Sequence, residues 1–69
     1  MSAMPMKTSW PELVGINGDE AASVIKSDEP SLEVVVLLGG TPVSMDFVFE
    51  RVRVWVDSDR IVIRVPRVG

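Results

Sequence analysis

The residues of this chain best suited to chemistry are Ser44, Met45 and Asp46, followed a few positions later by Arg51 and Arg53. The Asp46 carboxylate can accept charge-assisted hydrogen bonds from either guanidinium, and Ser44 can accept others through its hydroxyl or carbonyl. Two arginines spaced two apart in a strand project from one face, opposite Val52 and Val54. Residues 39–46, with two glycines, a proline and small polar side chains, have the composition of a loop. Residues 47–56 are dense in β-branched and aromatic types and read as a strand. The pattern is a loop with a large apolar residue near its tip and a following strand whose cations can brace it.

Composition removes most other chemistries. The chain has 69 residues, no Cys and no His, so thiol nucleophiles, Ser/His/Asp triads, disulfides and the usual zinc ligands are missing. Asp46, Glu50 and Asp57 form no evident acid/base pair, and the chain is not expected to be an enzyme or to need a cofactor or metal. At this length a single domain buries only about 60% of its unfolded surface, and a hydrophobic content of 46% supplies one core without staples. The net charge of −3 repels phosphate backbones and argues against nucleic acid as a partner. The longest apolar run, residues 34–38, is too short to span a bilayer, and the N-terminus lacks the pattern of a signal peptide. Cytoplasmic, vacuolar and extracellular settings all fit this composition.

The elements that must position the loop follow in order. Residues 1–6 read as a loose tail and residues 7–69 as one domain. Trp10, in a run stiffened by Pro11, is expected in the core rather than at a partner interface. Asn17 followed by Glu20 marks a helix start, with Asp19 also near the N-terminus. Ala21, Val24 and Ile25 give that helix one apolar face, and Pro30 ends it. Residues 32–38 are apolar apart from Glu33, which predicts a strand buried on both faces, central in its sheet and parallel to its partner. The long connection from 38 to 47 marks a functional loop in so small a domain. A second strand is expected to run to Val56, with a turn at 57–59 and a short third strand over 60–65 that Pro66 confines to an edge.

A loop of this kind suits substrate-like recognition. A serine protease binds an extended segment through main-chain hydrogen bonds and reads one side chain in its primary pocket. Pro42 stiffens the approach, and Met45, long and uncharged, suits an apolar pocket. Such a loop must be held extended before binding and its ends kept together after attack, a task for Arg51 and Arg53.

The segments KTSWPELVG (7–15), GGTPVSMDF (39–47), RVRVWVD (51–57) and VPRVG (65–69) together resemble the potato inhibitor I family of serine protease inhibitors. The resemblance implies an α+β fold, one helix packed on a small mixed sheet, with a long exposed reactive loop of Gly40, Thr41, Pro42, Val43, Ser44, Met45, Asp46, Phe47 and Val48. It implies Met45 as the primary specificity residue, Met45–Asp46 as the scissile bond, and loop bracing by Ser44, Asp46, Arg51, Arg53 and Gly69. Ser44 stands where the family usually has Thr, Leu38 where some relatives have Pro, and Val48 where a basic residue is common. The implied partners are chymotrypsin-like and subtilisin-like serine proteases, with elastase-like enzymes as a further class, met by a monomer in a defence or wounding context. The alternative is a non-inhibitory interaction module that uses the same loop or a sheet edge.

Overall fold

The computed structural model describes residues 7–69, and the tail expected over residues 1–6 lies outside them. A single α-helix, α1 (Gly18–Asp28), packs on a three-stranded sheet of β1 (Glu33–Leu38), β2 (Arg51–Val56) and β3 (Arg67–Val68), after a short 3-10 turn over Pro11–Leu13. The helix begins where the sequence places it. The Asn17 side-chain oxygen accepts from the main-chain N–H of Asp19 at 2.8 Å and of Glu20 at 3.2 Å, satisfying two of the donors that a helix N-terminus leaves open. At the other end the N–H of Glu29 closes onto the Ile25 carbonyl, and Pro30 prevents continuation.

β1 and β2 run parallel, Glu33 opposite Arg51 through Leu38 opposite Val56, and β3 pairs antiparallel with β2, Val52 opposite Val68 and Arg53 opposite Arg67. On β2 the alternation is complete: Val52, Val54 and Val56 are buried, while Arg51, Arg53 and Trp55 are half-buried on the opposite face. The three valines join Trp10, Leu13, Ala21, Ile25, Leu32 and Val62 in one core between helix and sheet. Trp10 lies in that core, fully buried, with its indole N–H donating to the Asp28 carboxylate at 2.9 Å. The residue is thus packed with its one polar atom satisfied, as a buried tryptophan requires.

Four expectations about the strands are corrected. β1 is an edge strand and β2 the central one, since the sheet order is β1-β2-β3. β1 is also not buried on both faces: its four inner positions are half-buried and its ends exposed, because one 11-residue helix can cover only one side of the sheet. β2 starts at Arg51 rather than at Phe47, since the Arg51 N–H turns back to the Val48 carbonyl and a turn occupies Phe49 and Glu50. Residues 60–65 form no strand. Only Ile61 and Val62 make isolated bridges, to Asn17 and Val56, and the third strand follows Pro66 instead of ending there. The turn at 57–59 is present, built by the Asp57 carboxylate, which accepts from the N–H groups of Asp59 and Ile61. Arg60 next to it takes a left-handed φ of 65°, which breaks the extended backbone that a strand from 60 onward needs.

Gly18 opens the helix hard against the sheet. A Cβ at this position would stand 2.5 Å from a methyl of Val56 and 3.3 Å from one of Val36. Gly18→Ala is therefore expected to destabilise the domain by about 1–3 kcal/mol through overpacking, even though Ala is the better helix former by about 1 kcal/mol. Urea unfolding of the variant measures this, and a stability equal to or above that of the parent would show that helix and sheet are less closely apposed.

Candidate functional site

The parallel pairing dictates the path of residues 39–50. β1 ends beside Val56, whereas β2 begins beside Glu33, so the chain must return the length of the strands, about 17 Å at 3.3 Å per residue. Twelve residues can span about 40 Å when extended, and the surplus projects outward. The departure is a tight turn: the Thr41 N–H and its hydroxyl both donate to the Leu38 carbonyl, at 3.0 and 2.6 Å, and Gly40 takes φ 89°. A positive φ at the third position of such a turn is the place for glycine. Gly39 is fixed as well, donating to the Val56 carbonyl at 2.8 Å, with Ile63 where a side chain would go.

Residues 41–48 have no helix, strand or turn assignment. Pro42, Ser44, Met45, Asp46 and Phe47 are exposed, while Thr41, Val43 and Val48 are half-buried. Met45 is 97% exposed, touching solvent with nearly its whole thioether chain. The main-chain oxygens on either side of it are nevertheless tied down. Arg53 Nη2 donates to the Ser44 carbonyl at 3.2 Å, and Arg51 Nη2 donates to the Asp46 carbonyl at 2.9 Å. The side chains of both arginines are only 15% and 19% exposed, so their stems are packed and their forks approach the loop from a fixed strand.

The Asp46 carboxylate lies 3.6 Å from Arg51 and 3.8 Å from Arg53, in ion-pair range of both, and it accepts the Ser44 hydroxyl hydrogen bond. The direct guanidinium hydrogen bonds in this region therefore reach main-chain oxygens, while the hydroxyl serves the carboxylate. The Ser44 bond is the largest influence holding the Asp46 pKa below its ordinary 3.8, followed by the residue's own N–H and by Arg51. Gly69 completes the arrangement from the far end of the chain. Its N–H donates to the Arg51 carbonyl at 2.7 Å, and its main-chain oxygen accepts from Arg51 Nε at 2.9 Å. A Cβ on Gly69 would press on the Phe47 ring at 3.1 and 3.2 Å, and Phe47 meets Phe49 edge to face at 4.9 Å.

Thus Ser44, Asp46, Arg51, Arg53 and Gly69 are brought together, with Met45 outside the cluster. Reading from sequence assigns Phe49 to the strand and misses both its pairing with Phe47 and the anchoring by Thr41. The regular 47, 49, 51, 53 spacing gives no sign that a turn divides it. The hydroxyl of Thr41 directly after Gly40 is a signal that could have been used, since Ser and Thr close turns through their side chains. The assembly can present an apolar side chain on a main chain fixed at both neighbouring carbonyls. No metal-binding cluster occurs among the described residues.

Because the folded-state pKa of Asp46 is depressed, its contribution to stability is present above pH 3.8 and is lost as pH falls below that value through the folded pKa. Ser44→Ala should move the Asp46 midpoint up toward 3.8, as followed by the carboxyl carbon in an NMR pH titration. An unchanged midpoint would mean that the arginines, not the hydroxyl, dominate.

A sequence profile of the Potato inhibitor I family matches residues 2–69. Protease inhibitor HPI of Hevea brasiliensis is 47% identical over 68 residues, which cover 99% of this chain and 97% of that protein. The inhibitor of trypsin and hageman factor of Cucurbita maxima is 44% identical over 68 residues, covering 99% of this chain and 100% of the other. The crystal structure of bitter gourd trypsin inhibitor superposes with a TM-score of 0.91 at 41% identity, covering 99% of this chain and 100% of that one. Sequence over nearly the whole length and backbone geometry agree, and the chain belongs to the potato inhibitor I family, whose members are protease inhibitors and not enzymes.

Proposed function

We propose that this protein inhibits serine proteases in a substrate-like, tight-binding manner through residues 40–48, with Met45 entering the primary specificity pocket and Met45–Asp46 as the scissile bond. The observation that carries this reading is the contrast at Met45, a side chain 97% exposed between two carbonyls held by Arg53 and Arg51. A free loop of this exposure would be an ordinary substrate. Here much of the ordering that binding requires is already present, so less affinity is lost to it.

The same contacts act after attack on the Met45 carbonyl. The acyl side retains Ser44 on Arg53, and the leaving amine belongs to Asp46, whose carbonyl remains on Arg51. Both arginines stand on β2 two residues apart, so the new amine stays beside the acyl carbon and can re-form the peptide bond before water replaces it. The Ser44 hydroxyl and the Asp46 carboxylate add a bridge across the bond itself. Gly69, bonded to Arg51 through main chain and side chain, fixes the direction of that guanidinium.

The side chain of Met45 selects the enzyme class. An unbranched apolar chain fills a hydrophobic slot of the chymotrypsin or subtilisin kind but leaves the acidic pocket of trypsin-like enzymes without its cation. Several relatives are named for trypsin, and others for subtilisin, as with subtilisin inhibitor CLSI-I of Canavalia lineata. This chain is assigned to chymotrypsin-like and subtilisin-like targets, with elastase-like enzymes as a further class.

Titration of chymotrypsin, subtilisin, elastase and trypsin checks the assignment. Inhibition of the first two should be strong and of trypsin much weaker, with Met45→Lys reversing the preference toward trypsin and leaving the fold intact. Rapid cleavage after Met45 with full return of enzyme activity would overturn the inhibitor reading and favour a non-inhibitory binding module. Replacing Arg51 and Arg53 together by Ala should speed loop hydrolysis far more than it lowers the unfolding midpoint. Equal losses in both would make these arginines supports of the fold.

A further inference from the structure

The outer face of the sheet bears a second concentration of positive charge, away from Met45. Arg53 on β2 and Arg67 on β3 are direct antiparallel partners, and like charges directly opposite one another destabilise a strand pair. Beside them the Arg64 guanidinium lies over the Trp55 ring, 5.3 Å from its centre. Arg53, Trp55, Arg64, Arg67 and Gly69 line one open groove of about 450 Å³. Neither Arg64 nor Arg67 forms an ion pair among the described residues, and residues 1–6 contain no Asp or Glu that could supply one. The chain carries a net charge of −3, so Arg64 and Arg67 unpaired in one groove beside Arg53, whose own counter-charge is Asp46 at 3.8 Å, run against the overall balance.

From this juxtaposition we infer that the groove is a binding site for a tetrahedral oxyanion, a sulfate or phosphate group. Each guanidinium offers N–H donors in a rigid plane. The Arg64 guanidinium lies 5.3 Å from the centre of the Trp55 ring and makes no hydrogen bond or ion pair among the described residues, so its donors are open to a ligand. Arg53 uses one nitrogen on the Ser44 carbonyl and retains others. A tetrahedral anion can accept from several directions at once and would supply Arg64 and Arg67 with the counter-charge that Arg53 already finds in Asp46, 3.8 Å away. The groove is several times larger than such an ion, leaving room for the molecule that carries it as an ester. The site is independent of the inhibitory reading, although it shares Arg53 with the loop.

The test is an NMR titration of the intact labelled protein at fixed ionic strength with sodium sulfate, sodium phosphate and dextran sulfate, with neutral dextran as control. Saturable shifts are expected at the Trp55 indole N–H and at the Nε–H groups of Arg64 and Arg67, with the buried Trp10 indole unmoved. Saturation by the inorganic ions with no gain from dextran sulfate supports a free-ion site, and tighter binding of dextran sulfate supports an ester-borne group. Replacing Arg64 and Arg67 together by Gln should weaken binding by about tenfold or more, whereas Arg60→Gln, at an arginine paired with Asp19, should change it by less than about twofold. Arg67→Gln alone gives the same direction if the double variant melts early. Absence of saturation with any of the three anions, or equal weakening by Arg60→Gln, would overturn the proposal.

Discussion

The parallel pairing of β1 with β2 is the constraint on which the rest of the structure depends. Two neighbouring strands that run antiparallel can be joined by a two-residue turn, but parallel ones need a connection that travels back along their length. In larger proteins a helix usually makes that return and covers the sheet. Here the helix precedes both strands, and residues 39–50 make the return without regular structure. The loop's length and exposure thus follow from register: Leu38 pairs with Val56, and Arg51 with Glu33. The proposed substrate-like presentation would be laid upon a crossover that the sheet requires in any case.

Register also explains why β2 can serve both core and loop. Its odd positions, Arg51, Arg53 and Trp55, face outward, and its even positions, Val52, Val54 and Val56, face the helix. The valines anchor the strand in the best-packed part of the molecule, where displacement opens cavities at a cost of about 1 kcal/mol or more for each methyl-sized void. The guanidinia of Arg51 and Arg53 share in that rigidity through side chains that are only 15% and 19% exposed. Two ion pairs of 3.6 and 3.8 Å at an exposed carboxylate add little to global stability, and in the proposed reading they act on geometry instead. The hydrogen bonds to the Ser44 and Asp46 carbonyls fix where the backbone lies.

The sequence carries this logic unevenly. The helix is legible because Asn17, Ala21, Ile25 and Pro30 each report a local rule, and the structure obeys all four. The face of Arg51 and Arg53 is legible because strand alternation is local too. What fails is global: the apolar run at 34–38 looks like the interior of a two-sided layer, yet β1 lies at the edge of a sheet with a single helix behind it. Apolar content reports what a strand could bury, not how many layers a 69-residue chain has available. The third strand was hidden for a related reason. Residues 60–65 alternate well, but the Asp57 turn and the left-handed Arg60 send them across the helix start, where Gly18 donates to the Arg60 carbonyl and Val62 to that of Ile16. The two-residue β3 after Pro66 has too little sequence to announce itself.

The C-terminal residues close the argument about the loop. Gly69 donates to and accepts from Arg51, and its missing side chain admits the Phe47 ring. Phe47 follows Asp46 directly, so Gly69 contacts both the arginine that holds the Asp46 carbonyl and the residue just beyond it. A side chain at Gly69 would press on that ring, and a shift of the ring would pull on Asp46 while Arg51 held its carbonyl in place. The strain would fall on the segment next to Met45 and leave the core between α1 and β2 intact. On the proposed reading, loop geometry and global stability therefore rest on different contacts in this fold, the second on the valine face of β2 and the first on the arginine face, closed by Gly69.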